Sequence, residues 1–235
     1  MIKINIAGLT VAINNRFGHI LRLARDYLTD ADAELTVMAT DEDIRKEREA
    51  SDESFSDGYL ESIVVYRKIA EQLPRFDAVV FHGAVLNMDG EAYAFTARSG
   101  VGKTTHTRLW LERFGQRVHY LNGDKPIIRF IDGVPYACGT PWQGKESYGV
   151  NETAPLRGIA FLGRAEENSA APVPSESVVT RLMTQIYLPK ESGALIKTMR
   201  LADRLVKSVR LVDLRCNMDI SAAEVSYKAL TGQSL

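Results

Sequence analysis

The sequence predicts an α/β fold built on a mixed sheet, and two kinds of local pattern carry this prediction. Apolar, β-branched runs alternate with runs whose apolar residues recur at the three- and four-residue spacing of a helix. Two Asp-Gly pairs, Asp89-Gly90 and Asp132-Gly133, each stand between apolar runs, which is typical of tight antiparallel hairpins. Between them, a strand, a glycine-rich segment, a helix and another strand follow one another over residues 91–122.

The first 76 residues predict a small α/β lobe. Its elements are β structure over 2–13 with Gly8 and Leu9 at a turn, a helix over 17–28, a strand over 34–39, a charged surface helix and loop over 41–57, and a helix over 58–73 that Pro74 closes. No chemistry-bearing group of residues stands out in this part. We expect residues 1–76 to cover the site or face the substrate, and residues 77–235 to form the core.

The first hairpin of the core predicts its own register. Residues 78–87 and 91–96 predict two strands, and a two-residue turn at Asp89-Gly90 pairs residues whose numbers sum to 179. Ala84 then faces Phe95, and His82 faces Ala97. This register places His82 beside the glycine-rich segment that follows residue 96.

The remaining elements follow from periodicity and turn residues. They are a strand over 117–122, a hairpin over 126–139, a polar glycine-rich loop over 140–151, a strand over 157–162, a polar connection over 165–174, a helix that starts at the N-cap Ser175 and ends before Pro189, a helix over 194–207, a strand over 209–214, and a last helix with a capping box at Ser221 and Glu224.

Composition excludes some classes of protein. The net charge of −1 gives no electrostatic case for binding nucleic acid or an anionic membrane. No segment has the apolar length of a membrane span. Two cysteines, Cys138 and Cys216, lack metal-site spacing and predict inert thiols in a reducing cytoplasm. The composition leaves a homo-oligomeric state open.

The segment Ala97-Arg98-Ser99-Gly100-Val101-Gly102-Lys103-Thr104 has the pattern of a Walker A phosphate-binding loop, with alanine as its first residue. In such a loop, backbone N–H groups and a helix N-terminus surround the phosphates, a lysine neutralises them and a hydroxyl binds Mg²⁺. The alternative is a glycine turn before an ordinary helix. The predicted nucleotide contacts are Arg98, Ser99, Gly100, Val101, Gly102, Lys103, Thr104 and Thr105.

Asp124 is the predicted catalytic and metal-binding acid. It stands 20 residues after Thr104, enough for a helix leading away from the phosphates and a strand leading back. The alternative is that it only ends a strand at a Gly-Asp turn. His82 is predicted to hydrogen-bond this acid or a phosphate and to tune the acid near neutral pH, against the alternative of a satisfied core histidine.

The loop Gly139-Thr140-Pro141-Trp142-Gln143-Gly144-Lys145-Glu146 is a second candidate for substrate contact. Lys145 is predicted to hold the γ-phosphate or an acidic substrate group and to stabilise the transferring group, and Glu146 to help bind metal. The alternative is a solvated Lys-Glu pair with Trp142 in the core. Lys125 and Arg129 supply further positive charge near Asp124.

Several motifs in order resemble the core of the HPr kinase/phosphorylase family, which is related to ATP-dependent phosphoenolpyruvate carboxykinases. They are His82-Gly83-Ala84-Val85-Leu86, Asp89-Gly90, the loop through Lys103-Thr104, and Asn122-Gly123-Asp124. The runs 99–107, 122–126 and 139–145 are similar to a group of short HPr-kinase-like proteins. The resemblance covers residues 78–150 well and the remainder loosely.

The resemblance implies a P-loop domain of the HPr-kinase/carboxykinase type with an N-terminal α/β lobe. It implies an ATP- and Mg²⁺-dependent kinase whose acceptor is a serine-like hydroxyl on a peptide or small protein. By the same resemblance, Lys103 and Thr104 bind nucleotide and metal, Asp124 acts as base and His82 contacts it. The family carries two consecutive acids where this chain has Gly123-Asp124, and a different segment where it has residues 142–145.

Two other functions stay open at the level of the sequence. One is a kinase for a small metabolite, which would need no polypeptide acceptor. The other is a nucleotide-binding module that recognises a partner without catalysis, and the single acid Asp124 keeps this alternative open.

Overall fold

The computed structural model describes residues 1–51, 53–98 and 100–233 and contains two β-sheets. The strands are β1 (Ile2–Ile6), β2 (Leu9–Ile13), β3 (Leu35–Val37), β4 (Ala78–Val80), β5 (Ala84–Met88), β6 (Glu91–Thr96), β7 (Val118–Asn122), β8 (Ile127–Ile131), β9 (Val134–Cys138), β10 (Thr153–Arg164), β11 (Ser169–Pro172) and β12 (Arg210–Cys216). The helices are α1 (Gly18–Leu23), α2 (Asp41–Glu49), α3 (Asp57–Gln72), α4 (Lys103–Phe114), α5 (Ser175–Met183), α6 (Ser192–Ser208) and α7 (Ser221–Thr231). The fold class is therefore mixed α/β.

The larger sheet is mixed and curled around its longest strand, β10. Along one path its strands are ordered β4-β8-β9-β10-β6-β5-β7, and β12 and β11 branch from β10. The first residues of β10 pair antiparallel with β9, whereas residues 158–161 lie between the parallel partners β6 and β12. This arrangement brings the end of β6 to the middle of the sheet, where the glycine-rich segment begins.

Both faces of the larger sheet are covered by helices. Trp110 of α4 and Tyr227 of α7 pack in a cluster with Phe95 of β6 on one face. Leu182 of α5 and Leu201 of α6 pack in a cluster with Ile159 of β10 on the other. Because both faces are covered, nearly every residue of β5 and β6 is buried, instead of every second one.

The smaller sheet, β1-β2-β3, packs into a third apolar cluster that also reaches the core of the chain. Leu60 and Tyr66 of α3 are buried in this cluster together with Ile127 and Trp142. The predicted division between residues 76 and 77 stays a prediction, because shared burial neither defines nor excludes a domain boundary.

Both predicted Asp-Gly hairpins are confirmed, and the register predicted for the first is confirmed as far as the pair of residues 84 and 95. Ala84 pairs with Phe95 and Met88 with Glu91, and Ile131 pairs with Val134. Asp89 and Asp132 have φ values of 53° and 49°, as the tight turn requires. The ladder ends at Ala84, and beyond it the Thr96 hydroxyl donates to the His82 carbonyl at 2.8 Å.

Several local predictions are wrong. The first turn is Ala7-Gly8, because Leu9 is buried and pairs with Ile6. The helix expected over 17–28 ends at Leu23 and is followed by a single 3₁₀ turn. The strand expected over 78–87 divides into β4 and β5, which pair with different strands.

Predicted helix starts in the C-terminal part also differ. The residue preceding α5 is Pro174, so Ser175 is its first helical residue. The Ser221 hydroxyl donates to Asp219 and Glu224 pairs with Arg113 of α4, so these two residues form no capping box. Among the described residues, no helix is both long enough and apolar enough to cross a membrane.

Candidate functional site

The glycine-rich segment connects β6 directly to the N-terminus of α4. Gly102 is the residue before the helix, with a φ of 124° that L-residues avoid. A Cβ placed at Gly100 or Gly102 would have no neighbouring atom within 4 Å, so the backbone here borders open space. Among the described residues no side chain caps α4. The first amides of the helix are therefore available to a ligand.

Lys103 and Thr104, the first two residues of α4, both line the cleft beside this segment. Lys103 is half-buried, and its amine lies 3.5 Å from the Ala97 carbonyl. Burial lowers the pKa of Lys103, and the nearby Asp124 carboxylate opposes this effect. A partly desolvated cation beside exposed backbone N–H groups favours an anionic ligand.

Asp124 is positioned by a turn at the end of β7 that a buried side chain holds in place. The Asn122 side chain is fully buried, accepts from the backbone N–H groups of Asp124 and Lys125, and donates to Thr140. Gly123 leaves no room for a side chain, because its Cβ would lie 2.8 Å from the Gln143 carbonyl oxygen. A second acid at position 123 would require the loop over 140–151 to move.

His82 and Asp124 come together because β5 also pairs with β7, and the Gly83 N–H donates to the Asp124 carbonyl at 2.9 Å. His82 Nε2 lies 3.5 Å from Asp124 Oδ1, and Lys125 Nζ lies 3.6 Å from Oδ2. Burial raises the pKa of Asp124, but the hydrogen bond from His82 and the charges of Lys125, His82 and Lys103 outweigh it, so the pKa lies below its ordinary value. His82 thus lowers the pKa of this acid instead of tuning it towards neutrality, and Asp124 is ionised at pH 7.

The loop over 140–151 supplies one buried anchor and one exposed cation. Trp142 stacks on Tyr66 with ring centroids 4.0 Å apart, and its indole N–H donates to the Ser62 carbonyl. Trp142 is therefore part of the hydrophobic core, as the alternative interpretation of this loop predicts. Lys145 is exposed and lines the cleft. Glu146 lies 3.4 Å from Arg108 of α4 instead of pairing with Lys145.

Of the predicted site residues that the structure describes, some line this cleft and others lie outside it. The cleft has a volume of about 600 Å³ and is lined by Gly100, Gly102, Lys103, Thr104, Thr105, Asp124 and Lys145 among the predicted residues. Arg98 is exposed, and Val101 packs against the core while its N–H donates to the Arg98 carbonyl. Ser99 lies outside the described residues. Arg129 donates to the Ala7 carbonyl, away from the cleft.

Arg164 is a residue that the sequence did not reveal. It ends β10, and its guanidinium donates to the carbonyls of Gly100 and Val101. These hydrogen bonds fix the orientation of two peptide groups of the glycine-rich segment, because their carbonyl oxygens must point towards Arg164. No local pattern marks this arginine, because the contact spans more than 60 residues and depends on the parallel pairing of β10 with β6.

The wall of the cleft opposite α4 comes from residues 1–76, which the sequence predicts to cover the site, but none of its individual residues was predicted. His19 and Leu23 of α1 and Tyr59 and Ile63 of α3 line the cleft that also contains Lys103 and Asp124. The Tyr66 hydroxyl of α3 donates to the Lys125 carbonyl at 2.7 Å, which links this wall to the Asp124 turn. Helical spacing predicted α3, but not which of its faces meets the core.

Comparison with known proteins does not identify a family. No protein-family model matches the chain, and no curated protein matches it. Among solved structures it is similar to the HPr(Ser) kinase/phosphatase from Coxiella burnetii, at 14% identity and a TM-score of 0.31, over 54% of this chain and 96% of that one. A likeness this weak carries no argument about the family or the activity of this chain.

Proposed function

We propose that this protein is an ATP- and Mg²⁺-dependent kinase that transfers the γ-phosphoryl group to a serine-like hydroxyl on a peptide or small protein. The observation that carries the proposal is one cleft lined by the uncapped start of α4, by Lys103 and Thr104, and by the Asp124 carboxylate. Phosphoryl transfer depends mainly on positioning and charge neutralisation, and these groups suit both tasks.

The residues present fit a nucleotide with its metal ion. The phosphates would contact the amides around Gly102 and the Lys103 amine, and Thr104 and Asp124 would bind Mg²⁺. Among residues 1–51, 53–98 and 100–233, no group of three His, Cys, Asp or Glu side chains could hold a metal by itself. A hard cation would then complete its shell with phosphate oxygens and water, and when bound it neutralises charge on the transferring group.

In the proposed reaction, the acceptor oxygen forms a bond to the γ-phosphorus while the bond to the β–γ bridging oxygen breaks and ADP leaves. The Asp124 carboxylate accepts the hydroxyl proton and later releases it to water. Its lowered pKa makes it a weak base, which suffices where the transition state is loose and the hydroxyl proton is lost late. His82 orients this carboxylate, and Lys145 stabilises negative charge on the transferring group.

One observation favours a second candidate, a nucleotide-binding module without catalysis. The loop over 140–151 packs so closely on Gly123 that the turn holds a single acid. If one carboxylate cannot both bind metal and accept a proton, nucleotide would bind without transfer. A small-metabolite kinase differs only in its acceptor.

Incubation with γ-labelled ATP and Mg²⁺ tests these alternatives. Peptides and metabolites are offered as acceptors, and mass spectrometry locates the label. Asp124→Asn should lower the transfer rate by about a hundredfold or more. The matched control is Asp132→Asn, the same chemical change at an exposed turn. Tight ATP binding with no labelled product would favour the non-catalytic module, and wild-type turnover in Asp124→Asn would remove Asp124 from the mechanism.

A further inference from the structure

The two walls of the cleft differ in charge. The core side contributes Lys103, Asp124, Lys125, Lys145 and Glu146. The side built by α1 and α3 contributes two aliphatic side chains, the Tyr59 ring, the buried Ser62 and His19. Burial and the neighbouring Arg22 lower the pKa of His19, while Glu61 opposes them, so this imidazole is neutral at pH 7.

The uncharged side is partly open to solvent. Tyr59 is 38% exposed, its ring meets His19 edge-on at 5.9 Å, and Leu23 and Ile63 are half-buried. We name this surface, formed by His19, Leu23, Tyr59 and Ile63, the apolar wall. Apolar area exposed inside a concave site is a common feature of ligand pockets.

The apolar wall is held firmly in place. The fully buried Glu61 of α3 accepts from the backbone N–H groups of Arg16 and Phe17, which fixes the start of α1. The helices approach so closely that a Cβ at Gly58 would lie 2.9 Å from the His19 Cβ. With Tyr66 bonded to Lys125, the wall has a fixed position relative to Asp124.

We propose that the apolar wall binds an uncharged, apolar side chain next to the phosphorylated hydroxyl, so that the acceptor is a polypeptide segment. This inference rests on the proposed kinase function. Phosphates would contact the charged side of the cleft, and the acceptor would lie between them and the wall. A free amino acid would bring an ammonium and a carboxylate against a surface that offers them no charged partner.

A positional peptide library with a fixed serine tests the inference. Each position near the serine carries Leu, Phe, Asp or Lys in turn, and two quantities are measured: peptide binding in the presence of a non-hydrolysable ATP analogue, and transfer from labelled ATP. At one or more positions, Leu or Phe should be preferred about tenfold over Asp. Leu23→Lys should reverse this preference towards Asp, and Tyr59→Ala should reduce it.

Leu21→Lys is the matched control, since Leu21 is also on α1 and exposed but does not line the cleft. It should leave the preference unchanged. If peptides with Leu or Phe bind better but none is phosphorylated, the result would support the role of the apolar wall and refute the kinase function. Transfer without any residue preference would support the kinase and overturn the wall, and a library neither bound nor phosphorylated would overturn both.

Discussion

Arg164 should control how well the glycine-rich segment is prepared to bind ATP. Its guanidinium donates to two carbonyls of this segment, at 3.1 Å for Val101. Hydrogen bonds from a charged donor contribute about 1.5–3 kcal/mol when sheltered, and Arg164 is exposed, so we assign the pair about 1–2 kcal/mol in total. Without these two hydrogen bonds, only a fraction of the molecules would hold the segment in the conformation that binds ATP. The apparent affinity for ATP then decreases in proportion to that fraction.

That free energy corresponds to a dissociation constant for ATP about 5 to 30 times larger in Arg164→Ala. Isothermal titration calorimetry with ATP and Mg²⁺ measures the constant, and urea unfolding measures stability in parallel. Arg164→Lys keeps the charge but loses the planar fork, so its affinity should be intermediate.

Arg157→Ala is the matched control. Arg157 lies on the same strand, β10, and pairs with Glu91 at the opposite end of β6. The reasoning is refuted if Arg164→Ala binds ATP within about twofold of wild type, or if Arg157→Ala weakens ATP binding as much.

Three further predictions concern the cleft and its supports. Lys103→Ala should lower phosphoryl transfer by about a hundredfold or more with an unchanged circular dichroism spectrum, and retained turnover would contradict the role of this amine. Glu61→Gln should lower the free energy of unfolding in urea by about 1–3 kcal/mol, because the buried carboxylate accepts from two backbone N–H groups and the amide oxygen can replace only one oxygen; an unchanged midpoint would show that another group accepts the second hydrogen bond. Burial lowers the pKa of His106 from 6.5 to about 4 in the folded protein. As the pH falls below 6.5, the unfolded chain therefore binds a proton at this residue before the folded protein does. Wild type should therefore lose about 2 kcal/mol more stability than His106→Gln between pH 7 and pH 5, and equal losses would contradict this.

At the two Asp-Gly hairpins, the sequence was sufficient. The two Asp-Gly turns set the register of their hairpins because the turn residues must adopt positive φ. The contact between His82 and Asp124 depends on more than this register, because it also needs the pairing of β5 with β7, in which Val85 faces Asn122. Local prediction failed at Ser221 and Glu224, where a contact with Arg113, more than 100 residues away, takes the side chain that a capping box would use.

The sequence by itself determined the α/β class, both hairpins and the strand–glycine–helix order around Lys103. Only the tertiary structure decided that α1 and α3 form the opposite wall of the cleft, that Arg164 holds the glycine-rich segment, and that Gly123 cannot be an acid. The reason is that backbone geometry propagates over a few residues, whereas these contacts join segments that meet only when the curled sheet buries its faces.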